Sequence, residues 1–153
     1  MRSKLVNPPV TFTKLLRDSG YFVSWPGKTD FNFDQPADFA DSKKNWWTGD
    51  EVPKQPFFGY ANFTVSHESQ VRNDGDKFAE NTIRLTPAQR HDPASMKLPP
   101  FWPDAPEVRR ELANYYDLVT AVDYHASDVL AWLEKHGLAE NTIVVFFRGH
   151  GRG

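Results

Sequence analysis

Pro106-Glu107-Val108-Arg109-Arg110-Glu111-Leu112-Ala113-Asn114-Tyr115-Tyr116-Asp117 opens a patterned run that continues to Gly137 and leads into Ile143-Val144-Val145-Phe146-Phe147. Along it Val108, Leu112, Tyr115, Val119, Val122, Ala126, Val129 and Leu133 recur at alternating spacings of four and three. That period places side chains on one face of an α-helix and predicts a core-facing stripe. Asp117, Asp123 and Asp128 are expected on the solvated face of the same helix. Lys135 and His136 complement the negative end of the helix dipole, and Gly137 supplies the stop. Ile143 to Phe147 is β-branched or aromatic at every position, which predicts a buried strand.

Upstream, Thr11 to Asp18 reads as a short helix, with Phe12, Leu15 and Leu16 at helical spacing and Gly20 placed just past its end. Tyr21 to Trp25 follows as a strand ended by Pro26-Gly27. Residues 34–54 are irregular and polar, and their Trp46-Trp47 pair is expected to mark a packed surface loop. Phe57 to Thr64 is aromatic and nearly continuous, which suits a strand buried on both faces and ending at Ser66-His67-Glu68-Ser69. A long connection then runs from Gln70 to Pro106, with the turn signal Asn73-Asp74-Gly75-Asp76 and a proline-dense end from Pro99. Loops of that length are often functional, and His91-Asp92 within it either lines a substrate pocket or is plain polar loop. Helix, strand, long loop, helix and strand in this order predict α/β layers around a mostly parallel sheet. In such sheets sites gather at the carboxyl ends of strands, where Lys28 to Asp30, His67-Glu68 and His150 all fall.

Composition narrows the classes. The chain has 153 residues, 39% hydrophobic, 14% aromatic and 25% charged, an ordinary globular make-up with enough large rings for a core. Its formal charge is −2, and Lys and Arg are scattered, so the footprint of a nucleic-acid binder is absent. No apolar run approaches the roughly 18 residues needed to span a bilayer, and the stretch after Met1-Arg2-Ser3-Lys4-Leu5 has no apolar core of a signal peptide. Without cysteine there is no disulfide, thiolate ligand or thiol nucleophile.

At its strand ends the chain resembles the sulfatase family, within the alkaline-phosphatase-like superfamily. Leu15-Leu16-Arg17-Asp18-Ser19-Gly20-Tyr21, closing on Gly27-Lys28, is similar to a family segment of the form LLRDAGY…GK. Gly27-Lys28-Thr29-Asp30-Phe31-Asn32-Phe33 resembles the branch that holds heparan N-sulfatase-like enzymes. Pro56-Phe57-Phe58 through Phe63 and His67-Glu68 resembles the strand that carries an active-site histidine. Asp104 to Phe147, followed by His150-Gly151-Arg152-Gly153, is similar to the family's helix, strand and DHGRG segment.

The resemblance implies a partial alkaline-phosphatase-like sandwich and hydrolysis of sulfate esters or sulfamates. Charge grows on the leaving atom as the bond to sulfur breaks, so a lysine can clamp sulfate oxygens and a histidine can protonate the leaving group. By carry-over, Lys28 would contact sulfate, and His67 would contact sulfate or the leaving group. His150 falls on a metal-ligand position, while His91, from its place in the long loop, is the further candidate for substrate contact. The family's metal is usually calcium, held by oxygen ligands, and its nucleophile is a formylglycine made within a C/S-x-P-x-R motif. Partners would be a sulfated small molecule or a glycan, glycosaminoglycans included. Relatives are usually exported.

This chain departs from the pattern in ways that predict a partial catalytic domain over residues 1–153. The nucleophile motif and an early Asp-Asp metal pair belong upstream of the matching region, and a further basic segment belongs downstream. Gly149 stands where the family has a metal-binding Asp. Ser24-Trp25-Pro26-Gly27-Lys28 mimics the nucleophile motif but has Lys for Arg and ends a strand instead of opening a helix. Three functions therefore compete: a sulfatase represented by its middle portion, a non-catalytic relative that binds sulfated glycans, and a phosphoric ester hydrolase of the same superfamily.

Overall fold

The computed structural model describes residues 5–71 and 75–147. The chain divides into two compact units, Met1–Asn62 and Phe63–Gly153.

In the first unit, Thr11 caps helix α1 (Phe12–Asp18) by accepting from the Lys14 N–H at 3.3 Å. Ser19 closes the helix, and Gly20 follows with φ of 91°, a left-handed conformation that an L side chain resists. The chain then turns into strand β1 (Phe22–Ser24), which pairs in parallel with β2 (Phe57–Gly59) in the register Phe22–Phe57, Val23–Phe58, Ser24–Gly59. On its other edge β1 bonds to residues 41–42, with Ser42 donating to Val23 and Trp25 donating to Ser42. The α/β class and the parallel pairing expected from sequence are therefore both present.

Asp41 ties this unit together. Its carboxylate accepts from Arg17 Nε on α1 and from the Val23 N–H on β1, both at 2.8 Å. Burial alone would raise its pKa, but the hydrogen bonds from Arg17 and Val23 outweigh that and hold the carboxyl below its usual value. A depressed carboxylate contributes stability that is present above the unfolded value of about 3.9 and is lost as pH falls through the lower folded value. Asp41→Asn is expected to cost about 1.5 to 3 kcal/mol at neutral pH and to flatten the acid limb of the first unit's stability. Thermal midpoints at pH 7 and pH 3 test this; an unchanged acid limb would count against it.

Trp46 belongs to the core rather than to a surface loop. It is buried, its Nε1 donates to the Tyr60 carbonyl at 3.1 Å, and its indole lies across Gly59, where an added Cβ would sit 2.4 Å from the ring. β2 is shorter than the expected strand from Phe57 to Thr64, and its residues are half-buried instead of covered on both faces.

The second unit is built on α4 (Pro106–Lys135). Its C-terminus closes as expected: Gly137 donates to Glu134 and Leu138 to Leu133, the paired bonds of a glycine-terminated helix. Leu118, Ala121, Val65, Val71 and Leu85 form its core, with Phe78, Tyr115, Val122 and Tyr124 packed against them. The buried arc is rotated from the predicted stripe. Val119 is exposed, while Ala113, Asp117, Leu118, Ala121 and Trp132 are buried. The long connection is not structureless, for it carries α2 (Glu68–Val71), α3 (Asp76–Asn81) and 3₁₀ turns at Pro87–Gln89 and Pro93–Ser95.

Ionic and polar bonds fasten that connection to α4. Arg84 grips Asp128 through two bonds of 2.6 and 3.0 Å and stacks over Tyr124, whose hydroxyl donates to Gln89. Arg109 bonds Asp104 with two nitrogens and also donates to the Met96 carbonyl. The strand expected at Ile143–Phe147 is not formed among the described residues, and all its side chains are exposed, Ile143 at 93%. Composition favours extended backbone there, but a strand also needs a neighbour to accept its hydrogen bonds.

Candidate active site

Lys28 follows the carboxyl end of β1 by four residues. Gly27, with φ of 88°, makes the turn that releases the chain from the strand direction. Trp25 Nε1 donates to the Lys28 carbonyl at 3.1 Å, and the indole is itself stacked on Tyr60 with centroids 3.9 Å apart. The backbone of Lys28 is thus set by an aromatic cluster. Its Nζ meets Asp30 at 3.1 Å on an exposed surface, a pairing worth roughly 0 to 1 kcal/mol that an incoming oxyanion can displace. Ser24 is buried and donates its hydroxyl to the Lys44 carbonyl, so this motif mimic is a structural serine.

His67 lies in the second unit, in the turn before α2 and eight residues beyond the end of β2. The Ser69 N–H donates to His67 Nδ1 at 3.3 Å, and the Ser69 hydroxyl lies 3.0 Å from the same nitrogen. A ring nitrogen that accepts is unprotonated, so the neutral imidazole carries its hydrogen on Nε2. His67 is exposed and can present that N–H as a donor.

His91 is in a different electrostatic setting. Its backbone N–H and its Nδ1 both lie 2.9 Å from Asp117 Oδ1. Asp117, only 5% exposed, also takes Arg90 at 3.2 Å, and Arg90 in turn donates to the hydroxyl and carbonyl of Thr82. The expectation that Asp117 sits on a solvated face is therefore corrected: it is a buried acceptor compensated by a guanidinium. Its place was readable from the i±4 neighbours Ala113 and Ala121, which lie on the same buried arc.

The fourth predicted position, His150, lies outside the described residues, as does Gly149. Among the described residues no group of three or more His, Cys, Asp or Glu is placed to hold a metal ion. Nor is any helix among them long and apolar enough to cross a membrane.

Residues 3–153 match the family described as Sulfatase, and the chain belongs to that family. It is 29% identical over 164 aligned residues to a protein of Formosa agariphila described as an ulvan-active sulfatase, covering 89% of this chain. The chain spans 27% of that relative's length. No solved structure matches it.

Proposed function

We propose that the chain is the middle part of a hydrolase of sulfate esters or sulfamates. Lys28 contacts the sulfate group, His67 contacts the sulfate or the leaving atom, and His91 contacts the remainder of the substrate. The observation that carries this reading is the capping of His67 Nδ1 by Ser69, which leaves Nε2–H as the donor that a sulfate oxygen or a departing alkoxide requires. Lys28 supplies the positive charge and surrenders a weak surface partner to do so. The substrate is a sulfated small molecule or a glycan.

The incompleteness of the chain is part of the proposal. The exposed Ile143–Phe147 run and the exposed Phe12 and Leu15 on α1 are apolar surfaces that a larger sheet and its helices would cover. Among the described residues no group of acidic or histidine side chains is placed to form a calcium site. Calcium, when bound by the complete domain, would polarise the sulfate group. The nucleophile, a formylglycine in relatives, has no motif in this sequence. A second reading, a non-catalytic relative that binds sulfated glycans, is favoured by Gly149 at the position of a metal-binding Asp.

Hydrolysis of 4-nitrophenyl sulfate and 4-nitrophenyl phosphate, by this chain and by the polypeptide of the reading frame extended on both sides, separates these readings. We expect no turnover by the 153-residue chain and turnover of the sulfate by the extended polypeptide. Turnover of the phosphate alone would change the group transferred, and an inert extended polypeptide would leave the binding reading.

A further inference from the structure

We infer that the His91–Asp117 pair is a reader of the substrate's hydroxyl groups, in which Asp117 fixes the ring so that His91 Nε2 accepts a hydrogen bond from the alcohol or sugar part of the substrate. The inference rests on the sulfatase reading above and deepens it.

It begins with what a carboxylate can do. Asp117 has no hydrogen to give, so the 2.9 Å contact at His91 Nδ1 is a ring N–H donated to Oδ1. In the neutral ring this leaves Nε2 as a bare lone pair. Oδ1 also holds the His91 backbone N–H, so ring and main chain are gripped by one atom, and the Tyr116 ring lies against the imidazole at 5.4 Å. Arg90 supplies Asp117 with its countercharge and is held by Thr82.

Among the described residues Nε2 makes no hydrogen bond. Among the described residues no buried side-chain nitrogen or oxygen lacks a partner, so this nitrogen is open to solvent. The side chain is 32% exposed, and an Nε2 without a partner is not fully buried. A fixed, half-buried imidazole with an outward lone pair repels sulfate oxygens, which carry no hydrogen. It suits a hydroxyl donor.

His67 is the opposite case. There Ser69 donates into Nδ1 and the outward nitrogen carries the hydrogen. The chain thus holds one histidine set as a donor, suited to an oxyanion, and one set as an acceptor, suited to a hydroxyl. A sulfated polyol offers both partners. In this arrangement Asp117 is a positioning residue: it acts only through the tautomer of His91.

The test is long-range ¹H–¹⁵N correlation of the imidazole rings in the labelled full chain. It is run at pH 8, above the reference imidazole value of about 6.5. Val145→Lys and Phe147→Lys are introduced to keep the chain dispersed. The expected result is an Nδ1-protonated ring at His91 and an Nε2-protonated ring at His67. Titration with glucose 6-sulfate is expected to shift Nε2 of both rings, and titration with sodium sulfate to shift His67 alone. His91→Asn keeps an amide N–H for Asp117 while removing the outer nitrogen. It is expected to weaken glucose 6-sulfate about three- to tenfold and leave sulfate binding unchanged.

An Nε2-protonated His91, or a His91 unmoved by the sugar sulfate while His67 responds, overturns the inference and leaves the sulfate reading intact. Silence of both rings toward both probes overturns the two together.

Discussion

Asp117→Ala is expected to destabilise the second unit by about 2 to 3 kcal/mol, the loss that follows when a buried acceptor shared by several donors is removed. The Asp117 carboxylate is the shared acceptor for the His91 backbone N–H, the His91 ring and the Arg90 guanidinium. Alanine leaves all three donors without it, although Arg90, which is exposed, regains water in its place. The residues concerned bridge 26 and 27 positions of sequence, so the connection loses its anchor on the helix as well as a set of bonds. Asp117→Asn should fall between wild type and alanine, since its amide oxygen still accepts but the charge is gone. Adding Arg90→Ala to Asp117→Ala should cost less than the two single losses summed, since both remove the same ion pair. Urea midpoints followed by far-ultraviolet circular dichroism check this. A shift in Asp117→Ala no larger than that of an exposed control such as Asp123→Ala would show that the pair carries no stability.

The second large effect concerns self-association. Ile143–Phe147 presents an unbroken apolar run, free of charge and proline, whose side chains are all exposed. Segments of that kind pair edge to edge with copies of themselves. The wild-type chain is expected to associate at micromolar concentration, and Val145→Lys with Phe147→Lys to weaken association about tenfold or more while helix content stays the same. Sedimentation velocity over a concentration series reads this directly. A wild-type chain that sediments as a monomer and melts in one sharp transition would refute both the association and the incomplete-sheet reading behind it.

What was legible in the sequence was what local rules determine. α4 carries a sustained helical period, a proline at its first position and a glycine past its end, and the observed bounds Pro106–Lys135 follow from these. The turn after α1 was likewise foreshadowed by Gly20, and the two strands, though not their partnership, by two aromatic runs. Ile143–Phe147 failed as a strand for a physical reason. Its composition speaks for extended backbone, but a ladder is a property of two segments, and none lies beside it among the described residues. Asp117 was misread because charge was weighed above helical position. Lys28, His67 and His91 were singled out by residue type and resemblance. The polarity of each ring depended on partners, Ser69 in one case and Asp117 in the other, that only coordinates pair with it.

The placement of the tryptophans has an optical consequence. Trp25, Trp46 and Trp47 belong to the first unit, each against another ring, with Trp25 on Tyr60 at 3.9 Å and Trp46 on Trp47 at 5.5 Å. Such fixed aromatic pairs give near-ultraviolet dichroism that vanishes when packing loosens. The helical signal, by contrast, comes mostly from α4 in the second unit. One thermal scan read at two wavelengths therefore weights the units differently, with Trp132 as the buried tryptophan of the second, and coincident curves are expected where the two melt together.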